Sequence, residues 1–310
     1  MADLVKVLPS MKRILLGSLT ILFLLALGAQ AANVNIWPGH APGETSLEKG
    51  TLQPNRKGED PPIHRLVNVR CPSMDIFLAE DKGKPTPAVL VLPGGGFGKV
   101  VPNKEGSEVA PWLNPKGVSV FVLRYRTSEP VGPDEPKWKR PLQDTQRAMR
   151  LIRANATRWN IDPHRLGILG FSAGGQVAAI AHASPAHHSY DNIDKIDEQS
   201  AIPDFSLLIY PWQVLQNDQI HLLEAIRYDR KTTPAFIVHT HDDRSSSVGS
   251  LEIYRNLKLQ GVPAELHIYH NGGHGYGMRA VKGSDIGTWP DRAGEWLDRT
   301  LPSLGGGTKK

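Results

Sequence analysis

The stretch LGILGFSAGGQVAAIAHA (166–183) decides how the rest of the chain is read. Its first six residues form an apolar run too short for a buried helix, and the alanine-rich second half reads as the start of a helix. Ser172 therefore falls on the bend between a strand and a helix. Gly170, Ala173, Gly174 and Gly175 around it are small enough for a tight, strained turn that lifts the serine hydroxyl above the end of a sheet. The pattern Gly-Phe-Ser-Ala-Gly at 170–174 arises by chance in many chains, and a small serine filling a turn would show it equally. Its position between a strand and a helix is what points to a nucleophile.

Outward from this point the same alternation repeats. Short runs rich in Val, Ile and Leu occur at 87–93, 118–125, 205–211, 235–240 and 264–270, as expected of strands covered on both faces. Segments with helical spacing lie between them, at 141–159, 173–183, 249–260 and 291–301. In the first, Met149, Ile152 and Ala156 share a face while Arg147, Arg150 and Arg153 lie mostly elsewhere. Strand and helix in alternation predict an α/β fold, a mostly parallel central sheet with helices on both faces. The segment between 211 and Thr232 is too short for a large cap domain. The 310 residues, 40% of them hydrophobic, suffice for one large core.

Upstream of the alternating region, RLVNVRCPSMDIFLAE (65–80) shows partial period-two alternation and predicts an edge hairpin. Residues 32–62, rich in Pro, Gly and charge, read as an irregular arm. In residues 1–31 basic side chains precede an uncharged run that ends in Ala29-Gln30-Ala31. This is the pattern of an export signal cleaved after Ala31, with a retained membrane anchor as the alternative. The expected organisation is thus a signal over 1–31, an arm over 32–62, a catalytic domain over 63–304 and a flexible tail over 305–310. The mature protein is expected to be periplasmic or secreted, with no lasting membrane partner. A single cysteine, Cys71, cannot form an internal bridge and reads as a packed strand residue. The net charge of +5 is dispersed among acids, which speaks against nucleic-acid binding.

Three further segments carry chemistry, each after its own strand. LPGGGFG (92–98) lets consecutive backbone N–H groups point at one spot, as a developing oxyanion requires. It lacks the lysine and spacing of a phosphate loop. Gly95 and Gly96, with Ala173 after the serine, are the candidate donors. In NGGHGYGM (271–278), His274 sits between glycines on what reads as a flexible loop, an unusual setting for a core histidine. In VHTHDDRSSSV (238–248), Asp242 or Asp243 is the acid that would orient that histidine, with Asp243 preferred. His239 and His241 with the two aspartates also permit a metal site to be drawn, but strand geometry explains their spacing more simply, and no metal or cofactor is expected. The order Ser172, Asp243, His274 is that of nucleophile, acid and base in an α/β-hydrolase.

With WPGHAPGE, LPGGGF, PLQDTQRAMRLIR, IDPHRLGILGFSAGG, PAFIVHTHDD and GVPAELHIYHNGGHGYG in place, the chain resembles the exported α/β-hydrolases of the acetylxylan-esterase and carbohydrate-esterase type, which share a BD-FAE-like hydrolase domain. The resemblance implies Ser172 as nucleophile, His274 as base and Asp243 as acid, acting on small acyl esters of carbohydrate such as acetylated xylan. It has one departure. Such relatives follow the acid with a hydrophobic pair and a proline, whereas Arg244, Ser245, Ser246 and Ser247 stand there in this chain. Trp212, Trp37 and Tyr276 are candidates for stacking on sugar rings, and Phe97 and Tyr125 for lining an acyl pocket. A generalist carboxylesterase or exported serine peptidase of the same fold is the alternative among enzymes. A non-catalytic binding module on a hydrolase fold is the alternative outside them.

Overall fold

The apolar runs become the strands of one eight-stranded sheet. A computed structural model describes residues 32–80, 82–127, 134–183 and 188–304. In chain order the strands are β1 (Ala32–Asn35), β2 (Lys49–Leu52), β3 (Leu66–Val69), β4 (Ser73–Phe77), β5 (Thr86–Leu92), β6 (Ser119–Arg124), β7 (Ile161–Phe171), β8 (Ser206–Ile209), β9 (Ala235–Thr240) and β10 (Ala264–Tyr269). The α-helices are α1 (Ala110–Leu113), α2 (Lys139–Ala154), α3 (Ala173–Ala183), α4 (Val248–Leu259) and α5 (Trp289–Thr300). The sheet order is β1-β4-β6-β5-β7-β8-β9-β10, parallel from β6 to β10 and antiparallel at the β1 and β4 end.

The central strands are apolar throughout because both faces are covered. Along β5, Ala88, Leu90 and Leu92 face a core that includes Met149 of α2 and Val177 of α3, while Val89 and Val91 face Trp289 and Leu297 of α5. Each such side chain, wholly withdrawn from water, contributes roughly 1.5–3 kcal/mol. β10 is the exception among the six runs: it pairs only with β9, lies at the sheet edge, and leaves Ile268 43% exposed. A parallel edge strand lacks a second neighbour to cover it.

Two expectations are revised. Residues 65–80 do not form a hairpin. β3 pairs with β2 in a separate two-stranded ribbon, while β4 enters the main sheet between β1 and β6. The division falls at Arg70 and Cys71, whose amides both donate to Glu48 O (2.8 Å each), and at Pro72, which has no N–H for a ladder. Residues 32–62 are likewise not wholly irregular, since β1 and β2 lie within them. Arg147 and Arg150 are buried beneath the segment that follows α3, paired with Asp194 and Asp197 and with the Tyr190 hydroxyl. The signal read in 1–31 and the tail at 305–310 fall outside the described residues, among which no helix is long and apolar enough to cross a membrane.

The start of α2 is tied to β6 by a buried ion pair. Arg126 donates to Asp144, whose carboxylate also accepts from the Arg126 amide and from Trp37 Nε1 (2.9 Å each), with both charged side chains fully buried. Removing one partner strands the other charge in the interior. Asp144→Ala is therefore expected to cost about 3–5 kcal/mol of stability, read as a lower urea midpoint; a loss under 1 kcal/mol would contradict this account.

Candidate active site

The serine bend is held by close packing of backbone on backbone. Ser172 adopts a left-handed φ of 53°, a conformation that costs a non-glycine residue of order 1–3 kcal/mol and survives only where its surroundings impose it. The surroundings here are the Ser172 amide donating to Ile209 O (3.1 Å) and the Ser172 carbonyl accepting from Gln176 N and Trp212 N (3.0 Å each). α3 approaches the end of β5 so closely that a Cβ on Gly174 would lie 2.1 Å from Leu92 O, and one on Gly94 would lie 2.7 Å from Ser172 Cβ. Only glycine permits either contact.

Three residues far apart in the chain meet at this bend. Ser172 Oγ lies 2.7 Å from His274 Nε2, and His274 Nδ1 lies 2.6 Å from Asp243 Oδ2. The partners assign the tautomer: Nδ1–H donates to the carboxylate, which leaves Nε2 to accept the serine proton. Asp243 is fully buried in its side chain, and burial alone would raise its pKa. Hydrogen bonds from His239, His274 and the Ser245 amide outweigh that and hold the carboxyl well below the usual range. It therefore stays ionised beneath the imidazole.

The two adjacent aspartates divide the work. Asp242 does not reach the imidazole; its exposed carboxylate accepts from Gly273 N (2.9 Å) and Gly272 N (3.2 Å). Thr240 Oγ1 donates to Gly273 O (2.8 Å), Tyr210 OH accepts from Gly277 N (2.9 Å), and Trp289 Nε1 donates to Gly277 O (3.0 Å). The loop around His274, expected to be flexible, is instead pinned on both sides of the histidine. Its glycines serve left-handed turns, with φ of 64° at Gly273 and 76° at Gly275.

Three residues at the site carry no signal that the sequence reading used. His239, wholly buried, donates through Nε2 to the same Asp243 oxygen (3.1 Å) and accepts at Nδ1 from Ser250 Oγ (2.8 Å). With both ring nitrogens so engaged, it is a support for the acid and not half of a metal site. Glu105 lies buried under the glycine loop, accepting from Gly94 N (2.9 Å) and from Tyr210 OH (2.8 Å). Burial pushes its pKa up, against the pull of the Tyr210 hydroxyl and of the facing His274. Tyr210 in turn packs edge-on against the His274 ring, 5.0 Å between centroids. A glutamate in a polar loop and a tyrosine at a strand end have no distinctive spacing; only the fold brings them together.

Gly95, Gly96 and Ala173 lie where the glycine loop and the start of α3 border Ser172. Gly95 takes φ 140°, and a Cβ there would meet Lys99 O at 2.1 Å. Of the aromatics singled out from sequence, Phe97 and Trp212 stand together at the site, with ring centroids 6.3 Å apart. The other three are core. Tyr125 is fully buried with its hydroxyl on Pro93 O (2.6 Å). Tyr276 is 2% exposed and packs against Tyr210, and Trp37 is 4% exposed and bonded to Asp144. None of these three presents a face to a sugar.

A serine on a strand-to-helix bend, a histidine and an acid from later strands, and a central parallel sheet together define an α/β-hydrolase fold. Residues 74–209 match the BD-FAE family model. The chain is 28% identical over 244 residues to an acetylxylan esterase from Xylanibacter ruminicola, a match covering 70% of this chain and 44% of that protein. It is 31% identical over 226 residues to endo-1,4-beta-xylanase B of Butyrivibrio fibrisolvens, covering 66% of this chain and 34% of that protein. The chain thus spans less than half the length of these curated relatives. Among solved structures, an acetyl ester-xyloside bifunctional hydrolase from Caldicellulosiruptor lactoaceticus superposes with a TM-score of 0.69 at 29% identity, over 88% of this chain and 98% of that one. The chain thus has the α/β-hydrolase fold, and the proteins it is similar to include an acetylxylan esterase and an acetyl ester-xyloside hydrolase.

The bend itself yields a stability prediction. Because the new methyl of Gly174→Ala would run into the Leu92 and Pro93 backbone, this variant is expected to lose about 3 kcal/mol, measured by urea denaturation. A variant as stable as the parent would show that α3 can move away from β5 freely.

Proposed function

We propose that the chain is a serine esterase that removes small acyl groups, acetyl foremost, from carbohydrate. The observation that carries this reading is the hydrogen-bonded line from Ser172 Oγ through His274 to the buried Asp243. The names of the relatives supply the ester and the sugar. His274 Nε2 takes the Ser172 proton as Oγ adds to the acyl carbonyl, and the imidazolium is steadied by the Asp243 carboxylate. The oxygen that becomes negative rests against amides of Gly95, Gly96 and Ala173, the last at the start of α3 where the helix dipole adds favourable potential. Collapse releases the sugar hydroxyl, protonated by His274, and leaves an acyl-serine. Water, deprotonated by the same imidazole, hydrolyses it and returns the serine.

Glycoside cleavage, suggested by the xylanase name of one relative, is not favoured by the acids present. That chemistry needs two carboxyl groups flanking the bond, roughly 5–10 Å apart and facing the substrate. Asp243 is sealed under two histidines and Glu105 under the glycine loop, so neither presents itself to a glycosidic oxygen. The intact serine line likewise weighs against a binding module without activity.

The test is acetyl release from acetylated xylo-oligosaccharides, alongside labelling by a fluorophosphonate probe. The parent is expected to do both and Ser172→Ala neither, with turnover lower by at least about 10⁴-fold. Asp243→Asn should fall by about 10³–10⁴-fold through the wrong imidazole tautomer, while Asp242→Asn should fall far less. A parent that never labels, or a Ser172→Ala variant that labels equally, contradicts the reading. Export through the 1–31 segment belongs to the same proposal, on the strength of its basic start, apolar run and small-residue end. Exported protein is expected to begin at Ala32 on amino-terminal sequencing; recovery of Met1 or Met11 at the terminus would refute cleavage there.

A further inference from the structure

The residues directly after the acid, Arg244, Ser245 and Ser246, form part of a pocket wall. A pocket of about 420 Å³ opens beside the serine bend, with Arg244, Ser245 and Ser246 in its lining and Trp138, Trp212 and Gln176 among the residues opposite. Its walls are bonded directly to the triad. Trp212 N and Gln176 N both donate to Ser172 O (3.0 Å each), and Ser245 N donates to Asp243 Oδ1 (2.7 Å).

The lining has the chemistry of a glycan site. Two indoles in the lining supply apolar surface of the kind that packs on sugar rings, and its amides and hydroxyls match a polyol. Gln176, 4% exposed, donates through Nε2 to Gln213 O (2.8 Å) while its buried Oε1 has no partner in the protein.

The charge is what narrows the ligand. Arg244 is the one charged residue among the described residues of the lining, and it makes no ion pair with any of the described carboxylates. The acids closest in sequence are engaged elsewhere: Asp243 with His239, His274 and the Ser245 amide, Asp242 with the Gly272 and Gly273 amides, and Glu252 with Arg255. A guanidinium without a carboxylate, beside indoles and amides, matches a sugar that brings its own carboxylate.

We propose that this pocket is a subsite for a uronic acid residue of the acylated glycan, its carboxylate held by Arg244. The proposal rests on the esterase reading of the adjacent triad, and extends it from acylated carbohydrate in general to acidic acylated carbohydrate. The acid is then recognised one sugar or branch away from the ester that Ser172 attacks.

Two measurements separate the subsite from the reaction. In the first, an acyl-free xylo-oligosaccharide bearing one glucuronate and its neutral counterpart are titrated calorimetrically into the full protein, so no catalysis is involved. The parent is expected to bind the acidic ligand about tenfold more tightly. Arg244→Gln should abolish that preference and Arg244→Lys retain part of it, and 0.5 M salt should shrink it. Equal affinity for the two ligands, or a preference that survives Arg244→Gln, overturns the proposal. In the second, acetyl release is compared on acetylated oligosaccharides with and without glucuronate. A lower KM for the acidic substrate, lost in Arg244→Gln, supports the subsite. Ester hydrolysis with no such preference overturns the subsite and keeps the esterase reading. Selective uronate binding with no hydrolysis of either substrate does the reverse.

Discussion

The approach of α3 to the ends of β5 and β7 is the constraint on which the site depends. Backbone meets backbone there with no room for a side chain at Gly174, and the helix begins at the point where β7 ends. Ser172 is forced into the left-handed region by that junction, and its carbonyl becomes the acceptor that fixes both Gln176 and Trp212. The glycine loop after β5 lies against the same junction through Gly94. One steric fact therefore places the attacking oxygen, the amides that would face the developing charge, and one wall of the neighbouring pocket. The strain at Ser172 is offset by the two fully covered faces of the sheet around it.

A second layer of polar groups turns this geometry into a site with a defined protonation state. Asp243 would be a poor buried anion alone; beneath His239 and His274 it is an ion with its lone pairs spoken for. Asp242, one residue earlier, faces the other way and shapes the loop that carries the histidine. Two neighbouring carboxylates so become an electrostatic partner and a backbone clamp. Both lie beyond the end of β9, in the turn that leads toward α4, and it is the path of that turn that sends them apart.

Much of this was legible in the sequence, and the limits have physical causes. The parallel strands were readable because burial on two faces leaves unbroken apolar runs, and Ser172, Asp243 and His274 because each follows such a run. Residues 65–80 misled because period-two alternation shows that a strand has two faces but not which neighbour it pairs with; β3 and β4 go to different sheets. The surroundings of the α2 arginines were not legible, because a helical pattern does not reveal that Asp194 and Asp197, more than forty positions on, will pair with Arg147. Tyr125, Tyr276 and Trp37 looked available because an aromatic in a loop-rich region has the same composition whether it lines a pocket or closes a core. Glu105 carried no local mark, since its bond to Tyr210 spans 105 positions, and His239 stood out only as half of a candidate metal pair, not as a support for Asp243.

Glu105 has a reach that its position in a polar loop does not suggest. One oxygen holds the Gly94 amide beside the glycine loop, and the other holds Tyr210, whose hydroxyl in turn takes the Gly277 amide beyond the histidine. The two loops arise from strands separated in the sheet by β7, β8 and β9, yet a single carboxylate spans them. Displacement of either loop is thereby transmitted to the other. Substitutions in the glycine loop and in the histidine loop should consequently combine non-additively, because the glycine-loop amides and the His274 ring behave as a single mechanical part.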